Sequence, residues 1–222
     1  MEATRRTFPR RTDWTAYYAR PRSRIAAFTQ RFTLRELKRC LQRYFTHPAS
    51  VMELGGGGSC FAESLCAAFG GGIKSYSIID SCELAVGQFA AKGLKGESYL
   101  LDAAREEEVA SIACRYDFVY SVGLVEHFQG EDIRRLVQAH FSLCGEDGLV
   151  LLSVPTPTRQ YRMVRGLMER LGKWGFPDET PLRPETLLPL VERYGMVLEC
   201  RVNYRLPLTQ LVIVARPKGK GT

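Results

Sequence analysis

The residues with the clearest chemical potential are an acid and four glycines, in the run Val-Met-Glu-Leu-Gly-Gly-Gly-Gly-Ser at 51–59. Glycine allows the positive φ of a tight turn and lets a ligand touch bare backbone. An apolar run precedes Glu53, and apolar residues at helical spacing follow Ser59. The pattern predicts a strand, a glycine turn and a helix whose first N–H groups face a polar or negative ligand. Taken alone, the same run also fits a glycine turn without a ligand.

Two further acids stand where predicted strands end. Asp80 closes the run Tyr-Ser-Ile-Ile-Asp, about twenty residues past the glycine turn, which is the spacing of an acid that accepts from ribose hydroxyls. Asp102 closes Tyr-Leu-Leu-Asp. Ligands of open parallel sheets bind outside the carboxyl ends of the strands, so these acids are expected at one edge. The alternative for each acid is a cap on the helix that follows it.

The elements that must position these residues alternate along the chain from residue 49. Strands alternating with helices predict a parallel sheet that is covered on both faces. Two apolar runs, 197–204 and 208–215, have no helix between them and are expected to form antiparallel strands. The predicted parallel strands are 49–54, 73–80, 97–101, 116–122 and 148–154, and the predicted helices are 59–69, 82–92, 105–114, 131–143, 161–172 and 184–194.

Motifs in order along the chain resemble those of class I S-adenosylmethionine (SAM)-dependent methyltransferases, of the small-molecule type found in quinone and natural-product biosynthesis. The glycine run resembles E/D-x-G-x-G-x-G, with Ser59 where the family usually has glycine. The runs at 116–128 and 145–155 resemble F-D-x-V-x-S…L-E-H and L-x-P-G-G-x-L-x-x-S-x-P. The resemblance covers 51–155 and extends loosely to 216. It implies an α/β fold with a Rossmann-like, mostly parallel seven-stranded sheet, an antiparallel C-terminal strand and helices on both faces.

The resemblance also implies which residues bind SAM. In this family the glycine loop passes under the methionine part of SAM, which carries an ammonium and a sulfonium, so Glu53 and the loop are assigned to that end. Asp80 is assigned to the ribose hydroxyls, and Asp102 with the backbone N–H after it to the adenine. The expected cofactor-binding residues are Tyr18, Glu53, Gly55, Gly57, Asp80, Ser81, Asp102, Ala103, Ser121 and Val122.

The pair Glu126-His127 follows the fourth strand, beside the place where the methyl group is expected. Imidazole titrates near neutral pH and can take a proton from an acceptor, which makes His127 the candidate catalytic base. Packing over the cofactor, or a bond to a backbone carbonyl, is the alternative role. Some relatives bind a divalent metal through an acid three residues before this pair. Gly123 stands there, so no metal is expected.

Composition limits the class of protein. The chain has 222 residues, of which 45% are hydrophobic and 25% charged, as expected for one globular domain. It has no apolar run long enough to span a membrane. No secretory signal is expected, because the Arg-rich start lacks an apolar segment; a solvated tail is favoured there over the alternative of a transit peptide. Seven scattered cysteines without C-x-x-C spacing indicate reduced thiols and a cytoplasmic location. The net charge of +7 is concentrated in residues 5–43. Such a face can attract nucleic acid, acidic lipid or an anionic substrate, although a solvated surface is the favoured interpretation.

Four segments are expected: a disordered basic tail (1–12), an N-terminal helical lid (13–48), the methyltransferase domain (49–216) and a disordered tail (217–222). Within the lid, residues 13–31 carry Trp14, Tyr17, Tyr18 and Phe28 and are expected to fold over the SAM site, with Tyr17 or Tyr18 near its methionine end. A helix packed elsewhere on the sheet, with these rings as ordinary core, is the alternative.

The acceptor is narrowed by motifs that the sequence lacks. Neither the tetrapeptide of amino-group DNA methyltransferases, nor the cysteine of C5-pyrimidine enzymes, nor the paired glutamates of arginine methyltransferases is present. A small-molecule acceptor, methylated on oxygen, nitrogen, carbon or sulfur, is therefore expected. The alternatives are an RNA or protein methyltransferase that uses the basic N-terminal face, a non-catalytic SAM-fold binding protein, and an NAD-binding protein. The sequence does not indicate the oligomeric state.

Overall fold

The structure is a computed structural model that describes residues 11–21, 24–46, 49–204 and 209–219. The strands are β1 (Ala49–Leu54), β2 (Ile73–Asp80), β3 (Ser98–Leu100), β4 (Tyr116–Val122), β5 (Cys144–Pro155), β6 (Gly195–Asn203) and β7 (Gln210–Pro217). The α-helices are α1 (Trp14–Ala19), α2 (Arg24–Tyr44), α3 (Ala62–Phe69), α4 (Glu83–Ala90), α5 (Glu106–Ala110), α6 (Glu131–Leu143), α7 (Arg159–Arg170) and α8 (Pro184–Tyr194).

The seven strands form one sheet in the order β3-β2-β1-β4-β5-β7-β6. The first five pair in parallel, and β7 pairs antiparallel with both β5 and β6. The predicted α/β fold is therefore confirmed, with β7 as the strand that runs against the others. The strand order reverses between β1 and β4, which is where an open parallel sheet forms a ligand crevice.

Alternate residues of the central strands pack into two separate cores. Met52 and Val119 belong to one cluster, and Val51 and Phe118 belong to the other. Such burial on both faces is typical of parallel sheets covered by helices. It fixes the carboxyl ends of β1 and β4 side by side.

Helix α2 packs in the second core. Leu37 and Cys40 are fully buried, and Tyr44 donates a 2.6 Å hydrogen bond to Glu199 of β6. Phe28, expected over the site, is 52% exposed and packs against Phe32. Within the predicted lid segment 13–48, the lid hypothesis is thus left to α1.

Several boundaries differ from the predicted ones. The helix expected from residue 59 begins at Ala62, because Ser59 has a φ of 33°. The helix expected over 105–114 is the five-residue α5. Residues 1–10 of the expected tail lie outside the described residues, but Thr12 is buried and bonded to Asp178. Among the described helices, none combines the length and apolar character that a membrane span requires.

Candidate active site

The glycine loop after β1 presents bare backbone at the sheet's carboxyl edge. Gly55 and Gly57 have φ values of 65° and 51°, a region that favours glycine. The Gly55 N–H donates to the Ile79 carbonyl at 2.8 Å, which ties the loop to β2. A Cβ at Gly55 would lie 2.7 Å from Leu124. A side chain at this position would be strained by the positive φ and would press on Leu124, so glycine keeps the backbone bare here.

Glu53 braces the loop from beneath. Its Oε2 accepts hydrogen bonds of 2.6 Å from the Ser59 and Tyr76 hydroxyls, and its side chain is buried. The Ser59 hydroxyl in turn accepts from the Ala62 N–H at 3.1 Å, so serine holds the positive-φ position where the family usually has glycine. Glu53 was expected at the methionine end of SAM. In the structure, the buried Glu53 carboxylate contacts the loop itself, through its hydrogen bond with the Ser59 hydroxyl.

The Glu53 carboxyl has an elevated pKa, which gives a prediction. Burial raises this pKa to about 7, although the hydroxyls of Ser59 and Tyr76 oppose the shift. A folded-state pKa above the unfolded value stabilises the fold at low pH, and this contribution is lost as pH rises through about 7. The stability advantage of wild type over Glu53→Gln should therefore shrink between pH 4.5 and 7, by on the order of 3 kcal/mol at most.

Urea unfolding at a series of pH values measures this difference. Glu146→Gln, at an exposed position of β5, is the matched control and should follow wild type throughout. A constant difference between wild type and Glu53→Gln would contradict the raised pKa.

Asp80 lies at the end of β2 with its carboxylate directed at the loop. Its oxygens accept 2.8 Å hydrogen bonds from the Gly57 and Cys82 N–H groups, and it also bonds the Tyr18 hydroxyl and the Ser81 N–H. Burial raises the pKa of the Asp80 carboxyl, and the hydrogen bonds that it accepts oppose this shift. A carboxylate offers about four acceptor positions, so a ribose hydroxyl would take the position that Tyr18 uses.

Tyr18 lies directly on the glycine loop. A Cβ built at Gly57 would be 2.3 Å from its ring, and its backbone carbonyl accepts from the Gln88 side chain at 3.1 Å. Burial, followed by Asp80, raises the pKa of the Tyr18 hydroxyl, so this hydroxyl stays protonated and donates. Helix α1 thus covers the edge where the cofactor residues converge.

The remaining cofactor residues lie on neighbouring strand ends. Asp102 follows β3, where its Oδ1 accepts from the Ala104 N–H at 2.9 Å and its Oδ2 lies 3.7 Å from Nε of Arg105. Ala103 is buried and Ser81 exposed. Ser121 is fully buried, and of these two residues the half-buried Val122 is the one placed to reach a ligand.

His127 ends a 3₁₀ turn after β4, and its ring is held by Asp178. The distance from Nδ1 to Oδ1 of Asp178 is 3.1 Å, and Trp14 lies edge-on at 4.9 Å between ring centroids. Burial lowers the pKa of His127 and Asp178 opposes it, so the ring is neutral at neutral pH. With Nδ1–H donating to Asp178, Nε2 carries the lone pair. In the described part of the chain, no residue bonds Nε2.

The segment before α1 reaches the same carboxylate. Thr12 donates to Asp178 through its backbone N–H, at 3.1 Å, and through its hydroxyl. Tyr17 and Trp14 pack against Phe176. Residues 12–18 therefore run from the Asp178 carboxylate to the glycine loop, so one short segment contacts both halves of the site.

A buried acid beside His127 has an unusual environment. Glu126 is 2% exposed, and its Oε2 has no partner among the described residues, while burial raises its pKa. Glu126, His127 and Glu179 each bring one potential ligand atom within 4.8 Å of the others, but Glu179 bonds Tyr161. This set can offer ligands to a cation; that the chain uses no metal stays a prediction.

Sequence reasoning missed Asp178, Thr12 and Glu179. All three act across long sequence separations: Asp178 lies 51 residues from His127 and 166 from Thr12. The local sequence of Asp178 and Glu179, Pro-Asp-Glu-Thr at 177–180, resembles an ordinary polar loop. The available signal was the pair of aromatic residues just before it, Trp174 and Phe176, because large rings beside polar residues indicate a packed or binding surface.

Comparison with known families and structures agrees with this geometry. The family described as methyltransferase domain matches residues 18–199. No curated protein matches the chain in sequence. Magnesium protoporphyrin IX methyltransferase from Synechocystis, with bound S-adenosylhomocysteine, superimposes with a TM-score of 0.67 at 12% identity, covering 92% of this chain and 93% of that one.

Two further structures are similar to the chain. The 1,6-didemethyltoxoflavin-N1-methyltransferase of Burkholderia thailandensis has a TM-score of 0.66 and 14% identity, with 93% of this chain and 86% of that chain covered. The N-methyltransferase NodS of Bradyrhizobium japonicum has a TM-score of 0.59 and 14% identity, with 82% and 86% covered.

The fold and the family match together define the class. The chain belongs to the methyltransferase-domain family. It is a class I SAM-dependent methyltransferase, and the enzyme class and cofactor expected from the sequence are confirmed.

Proposed function

We propose that the enzyme transfers the methyl group of SAM to a small-molecule acceptor held beside His127. The proposal is carried by one observation: the segment formed by residues 12–18 contacts Asp178 at one end and the glycine loop at the other. The base candidate and the cofactor candidates are thereby joined across one short segment. Two of the similar structures are methyltransferases named for magnesium protoporphyrin IX and 1,6-didemethyltoxoflavin, which supports a small-molecule acceptor.

We assign one group of residues to binding the cofactor and another to deprotonating the acceptor. Glycine-loop N–H groups and Asp80 would hold the methionine and ribose parts of SAM, and Asp102 and Ala103 the adenine. Bound SAM supplies an electrophilic methyl group on a sulfonium. His127 accepts the proton of the acceptor at Nε2, because Asp178 fixes the Nδ1–H tautomer and burial keeps the ring neutral. Aromatic rings of α1 exclude water.

Labelled SAM and metabolite pools test the proposed acceptor class. Incubation with the enzyme should place the label in a low-molecular-weight product, whose identification names the acceptor and the methylated atom. Label in RNA or protein would support the alternative that uses the basic N-terminal face. Bound SAM with no labelled product from any extract would favour a non-catalytic SAM-binding role. A cytoplasmic location, proposed from the reduced thiols, suits such an acceptor pool.

The lid function of α1 is a separate prediction. Deleting residues 1–20, which leaves α2 intact, should weaken SAM binding and abolish transfer while the protein still folds, because the rings that exclude water are lost. Calorimetry measures the binding and circular dichroism the fold. A folded, truncated protein with full activity would rule out a lid.

Point variants at Tyr18 separate the ring from the hydroxyl. Tyr18→Ala should reproduce the weaker SAM binding of the truncation. Tyr18→Phe keeps the ring on Gly57 and frees an acceptor position on Asp80, so SAM binding should be retained or tighter. Equal losses in both variants would contradict this division.

A further inference from the structure

Helix α7 exposes an apolar stripe that the active site does not use. Met163, Leu167 and Leu171 are 70%, 57% and 55% exposed. Met163 and Leu167 stand four residues apart on one face of the helix, and Leu171 continues the stripe at the residue that caps the helix. On the opposite side Tyr161 is buried and donates to Glu179. The helix is therefore anchored by its inner face, and its outer face offers three large apolar side chains to the surroundings.

Basic side chains flank this stripe. Arg159 and Arg170 are exposed and project beside the stripe, where they combine positive groups with its apolar side chains. The acid of the helix, Glu169, lies farther round, on the same face as exposed Arg162, and pairs with Arg165 at 2.8 Å. Exposed Lys173 follows in the turn after the helix.

We propose that α7 docks on an anionic lipid surface, lying in the plane of the headgroups. Apolar side chains on one sector and Arg or Lys on the next are the pattern of interfacial helices, in which buried apolar area and attraction to anionic lipid act together. The helix has 12 residues, a length of about 18 Å, which suits lying on a bilayer rather than crossing it.

Charge complementarity selects lipid over the other occupants. A second copy would bring the same positive rim against this one, and like charges across an interface are unfavourable. Nucleic acid would satisfy the arginines but not the three apolar side chains. An anionic bilayer satisfies both, and the net charge of +7 adds a general attraction.

Docking would also orient the enzyme. Helix α7 connects β5 to the segment that carries Asp178, and its inner residues Tyr161 and Arg165 contact Glu179. The acceptor side of the site would therefore be held close to the lipid. The docking itself does not depend on the proposed base or acceptor.

Co-sedimentation of the full chain with vesicles tests the proposal. Vesicles of phosphatidylcholine with about one third phosphatidylglycerol should bind wild type at least ~10-fold more tightly than pure phosphatidylcholine, and added salt should weaken this binding. The combined variant Met163→Gln, Leu167→Gln, Leu171→Gln should lose ~10-fold or more of the binding, since three apolar side chains leave the bilayer.

A charge variant and a control complete the experiment. Arg159→Gln with Arg162→Gln and Arg170→Gln should lose binding to the same degree. Leu100→Gln with Met196→Gln, at positions 50% and 59% exposed outside α7, should bind like wild type. Circular dichroism melting shows that each variant is folded.

Three results would overturn the proposal. They are equal binding to both kinds of vesicle, unchanged binding in the two α7 variants, and no vesicle binding by wild type. Sedimentation velocity tests whether a second copy of the chain covers the stripe instead. If wild type is a dimer that binds no vesicles, and the apolar variant is a monomer, the stripe is a dimer interface.

Discussion

Replacing His127 with Asn is expected to lower kcat by roughly 10²- to 10⁴-fold, the usual contribution of a positioned general base. The ring is held through Nδ1 by Asp178 at 3.1 Å, and Asn provides no group that accepts a proton near neutral pH. SAM binding should be unchanged, because no cofactor residue bonds His127 in the described part of the chain. Stopped assays with the identified acceptor measure kcat, and calorimetry measures SAM affinity.

The expected pH profile of methyl transfer follows from the lowered pKa of His127. Burial lowers the pKa of His127 below its usual range, and Asp178 partly restores it. A base works in its neutral form, so activity should fall as pH drops through this lowered pKa and stay level through neutral pH. Asp178→Asn should move the acid limb to still lower pH, since the opposing carboxylate is gone, and should reduce kcat because the tautomer is no longer fixed.

Nuclear magnetic resonance checks the same pair without an acceptor. In wild type the imidazole nitrogens of His127 should show the Nδ1–H form, and in Asp178→Asn a mixture of tautomers with a lower pKa. Asp132→Asn, at a partly exposed position on α6, is the matched control and should leave both properties unchanged. An unaltered acid limb in Asp178→Asn would show that His127 packs in the site without acting as its base.

The parts of the site that the sequence predicted are those encoded locally. Asp80 and the glycine loop are each read from a few adjacent residues, because strand, turn and helix follow one another there. The fold then brings them together: the Gly57 N–H donates to Asp80 at 2.8 Å. The parallel sheet also followed from the alternation of helices and strands, and the antiparallel C-terminal strand, found as β7, followed from the family resemblance.

The parts that could not be predicted depend on tertiary contacts. Ser59 interrupts the expected helix, since its hydroxyl is engaged by buried Glu53 and its φ is positive. Helix α2, predicted within the lid, is drawn into the core by Leu37 and Leu41. Asp178 meets His127 only because α7 folds back, and no local pattern specifies that return.

Asp80→Ala is expected to weaken SAM binding by roughly 10- to 150-fold, the equivalent of about 1.5–3 kcal/mol for a hydrogen bond to a charged group. Ribose hydroxyls would lose a carboxylate that is 8% exposed and already directed at the loop. The loop would also lose its bond from the Gly57 N–H to Asp80, so the alanine variant measures two effects together.

Asp80→Asn separates the two effects. The amide retains one acceptor oxygen for the Gly57 or Cys82 N–H, so the loop keeps part of its support, whereas the charge that favours ribose hydroxyls is lost. If binding the ribose is the main role of Asp80, the Asn variant should lose most of the affinity that Ala loses, with little change in melting temperature. If loop support is the main role, the Asn variant should bind SAM nearly as well as wild type. Unchanged SAM affinity in a folded Asp80→Ala protein would remove Asp80 from the cofactor site.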